Sequence, residues 1–114
     1  MSHKETVQYS EYEKIEIRAA TIIAAEAFPK ARIPAIKLTL DFGSFGIKRT
    51  SAQIATYYTP EILVGKQVVA VINFPPKQIA DFMSECLVLG CVTPEGIVTL
   101  LHPERPVKNG EVVR

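Results

Sequence analysis

Two stretches of this chain, Gln67 to Phe74 and Glu85 to Val92, read as strands that are apolar on both faces, yet the sequence holds no long amphipathic helix to cover them. In the first, Val68, Ala70, Ile72 and Phe74 face one way and Val69 and Val71 the other. In the second, Leu87, Leu89 and Cys91 oppose Cys86 and Val88. A strand apolar on both sides needs cover on both sides. A small barrel filled from within covers one face. The other face calls for a second subunit or for the chain's own loops and C-terminal tail. A homodimer is the expected solution, formed through Cys86–Val92, Ile97–Leu101 and the N-terminal turn.

The remaining elements fit that barrel. Ser10 and Glu13 have capping-box spacing and predict a helical turn or two over about residues 10–15. Ile15 to Ala27 reads as a long strand, and Phe28 to Pro34 as a proline-fixed loop. Ala35 to Phe42 alternates most cleanly, with Ile36, Leu38, Leu40 and Phe42 against Lys37, Thr39 and Asp41. Phe45 to Ile54 supplies a third strand. Thr59-Pro60 starts a single-turn helix that Gly65 ends. Ile97 to Leu101 is a further short strand, and Asn109-Gly110 marks a turn in the tail. The predicted fold is all-β with small helices: a five-stranded Greek-key barrel of the oligonucleotide-binding (OB) type, with extra C-terminal strands and a short N-terminal helix. An immunoglobulin-like sandwich fits less well, because the Cys…Trp…Cys signature is absent. Residues 1–9 are expected to be a flexible tail and residues 10–114 the barrel domain.

Charge and chemistry narrow the function. Thirteen Lys+Arg against twelve Asp+Glu leave a net charge of +1. That argues against gripping nucleic acid by bulk charge, though a local basic patch is compatible with it. No apolar run approaches the ~18–20 residues of a membrane span, and the polar N-terminus lacks the apolar centre of a secretory signal. A cytoplasmic protein is expected. Cys86 and Cys91 lie an odd number of residues apart in one apparent strand, which opposes a disulfide between them; both read as buried apolar residues. There is no Gly-rich phosphate loop, no metal-ligand spacing and no nucleophile setting. The expectation is a binding protein without cofactor or metal, not an enzyme.

OB barrels take ligands on the face of strands 2 and 3, between the 1–2 and 4–5 loops. On that template Phe28, Lys30, Arg32 and Lys37 flank one rim. Lys48, Arg49, Ser51 and Gln53 line the third strand. Asn73, Lys77, Phe82, Met83, Ser84 and Glu85 form the other rim. The aromatic rings could stack bases or wall a peptide site. Phe74 reads as core, whereas Phe82 and Met83, expected outside the strands, have the better claim to touch a ligand. Asn73 and Ser84 could equally brace the loop through backbone hydrogen bonds.

The chain resembles the tRNA-binding-domain family of OB folds from about Tyr12 onward. The resemblance rests on Ile15-Glu16-Ile17-Arg18, Ser51-Ala52-Gln53-Ile54, Gly65-Lys66, Asn73-Phe74-Pro75-Pro76-Lys77 and Ser84-Glu85-Cys86-Leu87-Val88-Leu89. Phe28 to Leu38, together with Asn73 to Leu89, is most similar to the CsaA-like subgroup of export-related chaperones. That resemblance implies a cytoplasmic homodimer that binds unfolded or precursor proteins, with the protein-translocation machinery as a candidate partner. tRNA is the alternative ligand. The tRNA-binding relatives carry a Lys-Met-Arg run where this chain has Gln78, Ile79 and Ala80. Lys77 remains, but two cations are gone and Asp81 and Glu85 add negative charge, which tilts the expectation towards peptides.

Overall fold

The computed structural model describes residues 3–114, so the expected tail falls partly outside the described residues. Residues 3–8 form no regular element, and helix α1, Tyr9–Glu13, follows. Its N-cap is Gln8 rather than Ser10: the Gln8 N–H donates to Glu11 Oε1 at 3.0 Å. The earlier start sets Tyr9 and Tyr12 one turn apart, with ring centroids 6.1 Å from each other.

Alternation dictates the sheet. Strand β1 (Ile17–Phe28) is the hub, antiparallel both to β2 (Ala35–Asp41) and to β4 (Gln67–Val71). Strand β3 (Ile47–Ala52) pairs with β2 after a 3₁₀ turn at Gly43–Phe45, and β7 (Leu87–Val88) pairs with β4. The order is β3-β2-β1-β4-β7. The sheet curls until Glu85, just before β7, meets β3: the Glu85 N–H donates to the Arg49 carbonyl at 2.8 Å. A bulge at Ile23 bends β1 where its register to β2 shifts. Inside lie Ala20, Ile22, Ile36, Leu38, Leu40, Phe42, Val68 and Ala70, all buried, together with Cys86. Helix α2 (Pro60–Leu63), started by Thr59, drops the fully buried Leu63 into this core. Gly65 ends it at φ +95° and donates its N–H to the Ile22 carbonyl at 2.8 Å. This is the expected all-β barrel of OB type.

The second apolar face is partly covered from within the chain. Ile17, Ala19, Val69 and Val71 pack beneath Tyr12, Leu89, Val107 and Val113. The tail is fastened there by strand β10 (Val112–Val113) on β1, by reciprocal backbone bonds of Ala19 with Gly110 and Glu111, and by the Gln67 side chain, which bonds both the N–H and the carbonyl of Val107. Of the two sources of cover weighed from sequence, the tail takes this patch. Leu87, Val92 and Leu101 stay exposed in the single chain.

The expected strand over Glu85 to Val92 is broken. Strand β8 (Gly90–Val92) leaves β4 and pairs with β9 (Val98–Leu100). Gly90 permits the change of partner, because a Cβ there would sit 2.6 Å from Val98 Cγ1 and 2.8 Å from the Thr99 carbonyl oxygen. Cys91 therefore lies on an outer ribbon and is exposed, against the expectation of burial; Cys86 is buried, and both thiols are free. The loop after Asn73 hides a hairpin, β5 (Lys77–Ile79) and β6 (Phe82–Ser84), around a turn at Ala80-Asp81. The turn lacks glycine, so the usual hairpin signal is missing; Ala80 takes φ +53° instead.

Candidate binding groove

A groove of about 980 Å³ opens between the β1–β2 loop, the end of β3, the β5–β6 hairpin and the β7–β9 ribbon. Its walls are mainly apolar. Ile33 comes from the first loop, Ile54 from beyond β3, Phe74 and Ile79 from the hairpin arm, and Leu87, Val88, Leu89, Val92, Val98 and Leu100 from the ribbon. Arg32, Ser51, Gln53, Lys77, Ser84 and Glu85 supply its polar groups. Six of the residues expected at the site thus meet in one place.

Ser84-Glu85-Cys86 is first of all a clamp. Thr50, buried on β3, places its Oγ1 2.7 Å from Ser84 Oγ and donates to the Cys86 carbonyl at 2.6 Å. The Arg49 N–H donates to Glu85 Oε1 at 2.8 Å. These bonds satisfy the open edge of β3 and close the barrel. Burial pushes the Cys86 thiol up to about 11, against the downward pull of its hydrogen bond with Thr50 and of Lys48. Asn73 is also a brace. Its Oδ1 accepts from the Glu16 N–H at 2.8 Å and its Nδ2 donates to the Lys14 carbonyl at 2.7 Å, tying the loop to the start of β1. The bracing role weighed for Asn73 and Ser84 is the one seen.

The two aromatics expected to face a ligand are core. Phe28 and Phe82 are 2% and 5% exposed and pack edge to face, 5.5 Å between centroids, with Ala35. Phe82 lies within β6, not outside the strands, because the hairpin folds it under against Phe28. Lys37 Nζ sits 4.6 Å from the Phe28 ring centroid and 5.1 Å from that of Phe82, and the Arg49 guanidinium 4.8 Å from Phe82. The Arg49 guanidinium also reaches Glu26 at 3.4 Å. Phe74, expected in the core, is 46% exposed on the groove, since β4 ends at Val71 and the chain turns outward at Asn73. Met83 is exposed on β6 but does not line the groove. At the hairpin tip Lys30 and Asp81 pair at 2.8 Å, which holds Lys30 above and Asp81 below its ordinary range. Both are open to water, so the pair stabilises little.

The groove's apolar wall was missed where strand reading assigned it elsewhere. Alternation alone places Leu87 and Val92 at a subunit interface and Phe74 in the core. The available signal was the two prolines after Phe74, which stop the strand before that ring can be enclosed.

A curled OB-type sheet with a groove beside its 4–5 loop defines a small binding domain. The chain belongs to the tRNA-binding-domain family: the family model described as "Putative tRNA binding domain" matches residues 17–112. Within it the chain is CsaA-like. It superposes on the chaperone CsaA of Bacillus anthracis with a TM-score of 0.93 at 45% identity, over 96% of this chain and 100% of that one. The CsaA chaperone protein of Picrophilus torridus gives 0.88 at 43% identity, again over 96% and 100%. The methionine–tRNA ligase of Pelodictyon phaeoclathratiforme is 36% identical over 114 residues, which is all of this chain but 16% of that enzyme. The chain thus spans about a sixth of the length of such curated relatives.

Proposed function

We propose that this protein holds extended, apolar segments of unfolded or precursor polypeptides in the groove, as a passive chaperone without catalysis or cofactor. The observation that carries this reading is the groove itself: a space of about 980 Å³ lined chiefly by aliphatic side chains and Phe74. Such a space suits apolar side chains of a client and offers few donors to phosphates. Of the nearby cations, Lys30, Lys37 and Arg49 do not line the groove, and Lys37 and Arg49 lie against the Phe28 and Phe82 rings. Each phosphate contact needs a donor, and cations dominate that energy. The likeness to two CsaA chaperones supports the same reading.

A homodimer belongs to the proposal. Ile15 and Leu101 remain exposed on the segments expected to pair, as does Tyr9 at the start of α1. Two grooves in one particle would let a client gain avidity beyond either site alone. Sedimentation at micromolar concentration showing only a 12.6 kDa species would contradict it. A cytoplasmic location and hand-over to the protein-translocation machinery complete the reading; no helix among the described residues is long and apolar enough to cross a membrane.

A second reading, tRNA binding, is favoured by the family match and by Arg32 and Lys77, which face the groove without an ion-pair partner among the described residues. Fluorescence titration with a labelled unfolded polypeptide separates the two. Phe74→Ala and Leu87→Ala, each removing an exposed wall side chain, should weaken peptide binding by about tenfold while leaving stability nearly unchanged. Unaltered affinity in both variants would remove the groove as the peptide site.

A further inference from the structure

We infer that the groove reads its polypeptide through the backbone, as a strand added to the open edge of β5. This rests on the peptide-holding reading and specifies its mode. Strand β5 meets β6 through Lys77↔Ser84, Gln78↔Met83 and Ile79↔Phe82. In an antiparallel ladder, opposed pairs alternate between those that exchange both bonds and those that exchange none. Ile79 and Phe82 are the first and fourth residues of the turn and form a bonded pair. Gln78 therefore turns its N–H and its carbonyl away from β6. Neither group meets a protein partner among the described residues; only the Gln78 side chain does, donating to the Ala80 carbonyl at 3.2 Å.

That free edge borders the groove. All three β5 residues line it, whereas β6 contributes only Ser84 and packs towards β3. The edge is short by construction. Two residues before Gln78, Pro76 offers a carbonyl but no N–H. On the other side the Ala80 carbonyl is already taken. What remains is one residue's donor and acceptor, beside an apolar trough. The matching ligand carries an N–H and a C=O at peptide spacing and alternate side chains that can enter the trough. An RNA backbone offers phosphate acceptors and 2′-hydroxyl donors, but not an N–H and a C=O at strand spacing with apolar side chains that enter the trough, so the occupant this edge fits is an extended polypeptide. Recognition through the backbone is also indifferent to client sequence, which a holder of many unfolded chains requires.

The test uses the full-length protein and a short, non-repeating apolar peptide carrying a fluorophore. N-methylation of single peptide amides should weaken binding about fivefold or more at one position or at alternating positions, and little at the positions between. Gln78→Pro, which deletes the amide N–H, should bind about fivefold or more weakly than Gln78→Ala, which keeps the N–H and loses the same side chain. If N-methylation is harmless throughout the peptide while wild type binds it, strand addition is wrong and the groove reading survives. If wild type does not bind the peptide at all, both fail. Should Gln78→Pro misfold, the N-methyl scan on wild type decides alone.

Discussion

Thr50→Val tests whether Ser84–Cys86 clamps the barrel shut. Thr50 is 1% exposed, and its hydroxyl lies 2.7 Å from Ser84 Oγ and 2.6 Å from the Cys86 carbonyl oxygen. Valine keeps the volume and the β-branch, so the change is chiefly the loss of that hydroxyl. The Cys86 carbonyl would keep only Ser84 Oγ, 3.4 Å away. Stranding a buried acceptor costs about 1–3 kcal/mol, and a methyl set against that carbonyl favours the upper half of the range. For 114 residues, an unfolding entropy of ~2.1 cal/mol/K per residue gives ~240 cal/mol/K, so the expected fall in Tm is roughly 4–12 °C. Urea unfolding followed by circular dichroism should show a lower midpoint at an unchanged m-value. The double variant with Ser84→Ala should depart from the sum of the singles by at least about 0.5 kcal/mol, because both changes break one network. A Thr50→Val protein within about 0.5 kcal/mol of wild type would refute the clamp.

Phe82→Ala should cost about 3–5 kcal/mol of stability, as a buried ring leaves a cavity and loses its two cationic neighbours; a stable Phe82→Ala protein that has merely lost peptide binding would contradict its place in the core. Asn73→Ala should cost about 1 kcal/mol in urea melts with peptide affinity retained, and an affinity loss without a stability loss would return Asn73 to the ligand. Iodoacetamide should label Cys91 in the native protein and Cys86 only on unfolding; equal labelling at native conditions would refute the burial of Cys86. Because the folded Cys86 thiol titrates near 11, above its ordinary value of 9.0, its contribution is complete below about pH 9 and is lost as pH rises through 11, so urea midpoints should fall between pH 9 and pH 11 and Cys86→Ala should flatten that decline.

Much of the barrel was legible because its signal is alternation. Ile36, Leu38, Leu40 and Phe42 read as one face of a strand; the first three are one face of β2 and Phe42 follows its end in the same core, and the two-sided apolar run at Val68–Val71 gives both the inner core and the patch that the tail covers. Short pairings without alternation were lost. The β5–β6 hairpin turns on Ala80 rather than glycine, and β10 is only two residues long. The break at Leu89 was illegible because it depends on close backbone approach at Gly90, a tertiary fact. The fold template does bring Ser51, Gln53, Lys77, Ser84 and Glu85 to one groove, since it places strand ends well. The aromatics exchanged roles. Sequence reports that Phe74 and Phe82 flank the loop, but which ring is folded under depends on the hairpin that sequence did not reveal.

Competition at physiological salt measures the ligand most directly. A labelled unfolded peptide bound to the full-length protein is titrated with tRNA, and the salt dependence of each affinity is recorded. Peptide holding predicts that the peptide stays bound at micromolar tRNA and that its affinity changes little with salt. Displacement of the peptide by submicromolar tRNA, with a log–log salt slope of several units, would show that the groove serves nucleic acid instead.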